Sequence, residues 1–152
     1  MTEEQILIKL SGICARGEHC REEMRRKMER WDVDEAMQER VLARLVDEKF
    51  IDEERYARFF INDKVRFNHW GRRKVEQALW AKRIPREVYE PILNEVSADS
   101  YEEVLLPLLR TKRRSVKGSS DYEIRMKLIR FAMQRGFSYE QAEHCLRKID
   151  EL

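Results

Sequence analysis

From Lys64 to Arg86 the chain carries eight basic residues and one acid, Glu76. Lys64, Arg66, Arg72, Arg73, Lys74, Lys82 and Arg83 form the first cluster. A second stretch, Arg110 to Arg135, holds nine bases against Asp121 and Glu123. Arg110, Lys112, Arg113, Arg114 and Lys117 crowd its start. Ammonium and guanidinium groups at this density displace the counterions of a polyanion. The chemistry they offer is contact with the phosphates of single- or double-stranded DNA, or with an acidic protein surface. The competing reading is a solvated helix face, and cations at a helix C-terminus are also favoured by its dipole. On a helix, Arg72, Arg73 and Lys74 fan over about 200°, so they do not all face one partner. Trp70 beside them has the ring to stack on a base, although packing between helices is the reading adopted for it.

Other chemistries find no support. No phosphate loop, nucleophile elbow or His-Glu-x-x-His motif occurs, and no catalytic residues are assigned. His19-Cys20 and His144-Cys145, with Cys14, invite a metal. The repeat described below places Cys145 in an apolar slot, so neither a metal nor any other cofactor is expected. Three cysteines without framework spacing suit a reducing cytoplasm. No apolar run is long enough to cross a membrane, and the acidic N-terminus lacks a signal-peptide pattern.

The elements that must carry these clusters repeat. Shifting residues 20–49 by 51 and then by a further 53 superposes Met24 on Val75 and Leu128, and Met28 on Leu79 and Ala132. Val33 falls on Ile84 and Phe137, Val41 on Ile92 and Cys145, and Leu45 on Val96 and Ile149. A period of that length marks stacked supersecondary units. Every segment reads as helix. Expected helices span about 2–15, 20–31, from Asp34, 53–67, after Gly71, from Pro85, 99–112, 121–134 and after Ser138. Asp34, Asp52 and Ser138 suit N-caps and Gly136 a C-terminal stop. Pro107 should kink its helix or shift its start. Tyr56, Phe59 and Phe60 are read as core or inter-helix packing, and Phe67 is grouped with them. The fold expected is all-α: three tandem three-helix repeats, 1–52, 53–97 and 98–152, in an elongated, curved solenoid. Net charge runs −3, +3 and +2 across these repeats, so the polyanion contact falls to the second and third.

Three motifs carry a family likeness. Ala15-Arg-Gly-Glu-His-Cys-Arg-Glu-Glu-Met24 resembles the opening motif of the RecX proteins, modulators of the RecA recombinase. The stretch from Leu45 to Phe59 resembles their central signature. Gly71-Arg-Arg-Lys-Val-Glu-Gln-Ala-Leu79, followed by Lys82-Arg83-Ile84, resembles their second-repeat motif. The likeness covers about residues 14–96 and weakens beyond. Gly17, Cys20, Met24 and Met28 depart from the family pattern; Gly17 removes one contact charge, and the methionines conserve volume. The resemblance implies three tandem three-helix units that bind RecA–DNA filaments, usually restraining them, in DNA repair, recombination and the SOS response.

The expected protein is therefore a cytoplasmic, monomeric regulator rather than an enzyme. Its partners are the RecA filament and, by electrostatic contact, DNA; no membrane partner is expected. Two alternatives stand beside this reading: a sequence-independent DNA-binding helical protein, and a protein–protein adaptor that works without DNA.

Overall fold

The computed structural model describes residues 1–150; the last two residues of the third expected repeat lie outside the described residues. Among the described residues there are nine helices and no strand. They are α1 (Glu3–Arg16), α2 (Arg21–Arg30), α3 (Glu35–Asp47), α4 (Glu53–Arg66), α5 (Arg72–Ala81), α6 (Arg86–Glu95), α7 (Ala98–Arg113), α8 (Asp121–Gln134) and α9 (Tyr139–Asp150). None is long and apolar enough to cross a membrane.

The helix starts follow their caps. Asp34 accepts from the Met37 amide at 2.8 Å and Asp52 from the Arg55 amide at 2.9 Å. Ser138 accepts from the Gln141 amide at 3.1 Å while Gln141 reaches back to the Ser138 amide at 2.9 Å, a reciprocal box. The ends of α2, α5 and α8 are built alike. Each closes on a residue in the left-handed region: Asp32 (φ 56°), Arg83 (φ 56°) and Gly136 (φ 98°). Each then returns a six-to-one backbone bond, Val33 to Met28 at 3.0 Å, Ile84 to Leu79 at 3.2 Å and Phe137 to Ala132 at 3.1 Å. These are the same slots that superpose in the sequence, so the period seen in residue types is also a period in backbone conformation.

Two prolines lie inside helices. Helix α7 starts at Ala98 and runs through Pro107 to Arg113, so its start is not displaced. Helix α6 likewise contains Pro91.

The chain packs as two compact units: Met1–Phe59 with Leu79–Tyr89, and Phe60–Ala78 with Glu90–Leu152. The division runs through α4, α5 and α6, the helices of the second expected repeat. In the first unit, Ile6, Leu7 and Leu10 of α1 and Met24 and Met28 of α2 meet Val41, Leu42 and Leu45 of α3, closed by Ile51. Burying such a side chain stabilises by roughly 1.5–3 kcal/mol. In the second, α7, α8 and α9 pack through Leu105, Leu109, Leu128, Ile129, Ala132, Ala142 and Leu146. Cys145 fills the apolar slot that the repeat assigned it, at 1% exposure, and burial pushes its thiol up to about 11. Cys20 is fully buried and its thiol is pushed up to about 12 by the same desolvation.

Phe59 is a correction. It is half exposed, and Phe67 more so, while Tyr56, Ala57, Phe60, Ile61 and Val65 are buried. The inner stripe of α4 is set by the 3.6-residue period from Tyr56 through Phe60, which leaves Phe59 off to one side; Phe67 lies beyond the last turn.

Candidate functional site

The first basic cluster separates into two environments. Lys82 and Arg83 belong to the first unit, where α2 supplies them with carboxylates: Lys82 Nζ lies 3.3 Å from Glu23, and Arg83 Nε 3.7 Å from Glu22. Glu22 is itself 95% buried and is shared with Arg25 at 2.6 Å and Arg26 at 3.2 Å. The hydrogen bonds from Arg25, outweighing burial, hold its carboxyl below the usual carboxylate range.

Lys64, Arg66, Arg72, Arg73 and Lys74 belong to the second unit, together with the whole second cluster. Here the cations rest on rings. Lys64 Nζ stands 5.3 Å and Lys74 Nζ 4.6 Å from the centre of the half-buried Trp70 ring. Lys112 Nζ and the Arg135 guanidinium each stand 5.1 Å from the Phe131 ring. A ring face attracts a cation without neutralising it, so the charge remains available to an anion.

The two groups are joined by backbone. Gly71 donates its amide to the Arg135 carbonyl at 2.8 Å, and Arg73 donates to the Gly136 carbonyl at 3.2 Å. This close pass needs glycine on both sides. A Cβ on Gly71 would sit 2.4 Å from the Gly136 carbonyl carbon and the Phe137 nitrogen. Gly136 holds a positive φ and would bring a Cβ to 2.6 Å from Lys74. The turn after α8 is thereby seated on the first turn of α5. A groove of about 510 Å³ beside this contact is lined by Arg72, Arg73, Tyr101, Met133, Phe137 and Tyr139.

Local carboxylates pair few of the cations that the two basic clusters place in the second unit. Lys64 has Asp63 at 3.6 Å and Arg113 has Asp150 at 2.9 Å. Among the described residues the Arg72 side chain bonds the neutral Asn94, at 2.8 Å. Among the described residues Arg66, Arg72, Arg73, Lys74, Arg110, Lys112, Arg114 and Lys117 make no ion pair. Apart from Lys74 and Lys112 on their rings and the intermediate Arg72, these side chains are exposed. The Lys117 carbonyl accepts from Lys127 at 2.6 Å, which steadies the loop that carries it.

Phe131 and Arg135 were not singled out from the sequence. Their signal was Gly136, a second glycine beside a basic stretch, whose partner Gly71 lies 65 positions earlier in the chain. The cysteines and histidines do not converge: among the described residues no three of His, Cys, Asp or Glu are placed to hold a metal ion. His144 instead pairs with Glu102 at 3.2 Å.

Comparison with known proteins adds the family context. Family models for the second and third three-helix domains of RecX match residues 52–90 and 99–146. The regulatory protein RecX of Finegoldia magna is 31% identical over 105 residues, 68% of this chain and 51% of that protein. That of Clostridium botulinum is 30% identical over 98 residues, 63% of this chain and 45% of that protein. The chain thus spans about half the length of these curated relatives. The regulatory protein RecX of Vibrio parahaemolyticus is 27% identical over 139 residues, 91% of this chain and 88% of that protein. The crystal structure of RecX from Lactobacillus salivarius superposes with a TM-score of 0.84 at 18% identity, covering 99% of this chain and 97% of that one. A second crystal structure of a regulatory protein RecX gives 0.88 at 16% identity, covering 95% and 73%. At these identities the two structures speak for the fold alone.

Proposed function

The chain belongs to the RecX family of regulatory proteins, and we propose that it acts by binding the RecA–DNA filament and restraining it, without a reaction of its own. It works as a cytoplasmic monomer, and its three repeats, 1–52, 53–97 and 98–152, meet a partner that is itself repetitive. The observation that carries this reading is that eight of the ten second-unit cations singled out from the sequence make no ion pair among the described residues. Two of them, Lys74 and Lys112, are held on rings. Placing the unit on phosphates or an acidic filament surface releases counterions without first breaking internal salt bridges. In the first unit, Lys82 and Arg83 have carboxylate partners, and that unit contributes more through protein contact than through charge.

The test is the DNA-dependent ATPase of preformed RecA filaments, titrated with the full chain. Sub-stoichiometric protein should lower ATPase and strand exchange. Lys74→Ala/Lys112→Ala protein, folded by circular dichroism, should need several-fold more protein for the same effect. No change in ATPase, strand exchange or filament length at saturation would replace this reading with DNA binding independent of the recombinase, provided that naked DNA still bound.

A further inference from the structure

The chain has three tryptophans, and two of them are occupied. Trp31 is half-buried with Lys9 Nζ 5.5 Å from its ring centre, and Trp70 lies under Lys64 and Lys74. Trp80 differs: it is 75% exposed, and among the described residues no cation covers its ring. The core does not require it. Helix α5 buries Val75 and Leu79, and Trp80 stands one residue past Leu79, about 100° around the helix. A single exposed indole is not by itself a contact surface; its neighbours decide that.

Its surroundings define the contact. Arg83, 71% exposed and held at positive φ, donates its backbone amide to the Trp80 carbonyl at 2.9 Å. Arg26 Nη2 donates to the carbonyl of Ala81, the next residue, at 3.3 Å. Trp80, Arg83 and Arg26 all lie in the first unit. Below them Glu22 is the carboxylate for Arg25, Arg26 and Arg83 together, and only Arg25 has a second acid, Glu29. One negative charge set against Arg26 and Arg83 leaves the end of α5 positive.

We propose that Trp80 is a stacking platform for an unpaired base of single-stranded DNA, with Arg83 and Arg26 taking the flanking phosphates. An open ring on a helix end where two guanidiniums share one carboxylate matches a nucleotide, which offers a π-face and an anion together. A protein partner would meet the ring, but it would have no need of the surplus charge. The inference rests on the DNA contact proposed above and not on the recombinase.

The test uses the full chain and naked strands: a labelled oligothymidylate and an abasic strand of equal length, followed by fluorescence anisotropy. Trp80→Ala should weaken binding of the thymidylate about tenfold and leave the abasic strand unchanged, because stacking is lost and the phosphates are not. Trp80→Phe should recover most of the difference. Equal affinities of Trp80→Ala and wild type for the thymidylate would overturn the proposal. So would an equal loss on both strands, or a loss confined to binding of DNA-free recombinase, which would make the indole a protein anchor. Failure of the filament ATPase assay with these results intact would remove the recombinase reading and leave this one.

Discussion

Glycine placement shows how one atom changes sign with its surroundings. Gly12 lies inside α1, and a Cβ there would meet nothing within 4 Å. Gly12→Ala should stabilise by about 0.5–1 kcal/mol, because the unfolded chain loses freedom and nothing is displaced. Gly71→Ala adds the same atom 2.4 Å from two backbone atoms of the turn after α8. It should destabilise by about 3 kcal/mol, since backbone moves less easily than a side chain tip. Urea unfolding of the two variants checks both signs. Moving the turn at Gly136 away from α5 also breaks the bond from the Gly71 amide to the Arg135 carbonyl and loosens the turn from Lys74, so Gly71→Ala should weaken DNA binding at temperatures where the protein remains folded.

Among the elements, α2 is held by an electrostatic device rather than by apolar area alone. Its sequence, Arg21 to Arg30, has only Met24 and Met28 as apolar residues, and both are fully buried. Glu22 gathers Arg25 and Arg26 from the same helix and Arg83 from the turn after α5. Because these partners lower its pKa in the folded state, it contributes stability above its unfolded value near 4.5. That contribution is lost as pH falls through the lower folded value. Glu22→Gln should therefore cost about 2 kcal/mol at pH 7. The gap from wild type should narrow as pH falls below 4.5 and the wild-type carboxyl begins to take up its proton. Denaturation midpoints of both proteins at pH 7 and pH 3.5 read this directly. A gap that stays constant would assign the loss to packing.

At the scale of the molecule the unpaired cations determine how binding responds to salt. Each phosphate contact removed should flatten the slope of log affinity against log salt by about 0.7 for a single strand. Arg73→Ala, Lys74→Ala and Lys112→Ala combined should therefore lower the slope by roughly 2, with affinity falling most at low salt. Anisotropy titrations on single-stranded DNA at several salt concentrations provide the measurement. An unchanged slope in a folded variant would return these residues to ordinary solvated surface. A chain ended near Val96 is a poorer instrument, because α5 would lose the Gly71–Arg135 and Arg73–Gly136 bonds as well as the second cluster.

Helix content, the caps at Asp34, Asp52 and Ser138, and the core slots of Met24, Val75, Leu128 and Cys145 were legible in the sequence. They are local or periodic properties: a cap spans three residues and a buried stripe recurs every 3.6. The family likeness was legible for the same reason, since motif order and spacing lie along the chain. Tertiary structure decided the rest. Proximity in sequence put Lys82 and Arg83 with Arg72, but packing divides α5 between two units and gives that pair to the carboxylates of α2. It also brought the Arg135–Gly136 turn to the first turn of α5 through a glycine contact across 65 residues. Whether a charge is paired, laid on a ring or left free depends on which distant groups the fold brings within about 4 Å, and a one-dimensional pattern does not contain that distance.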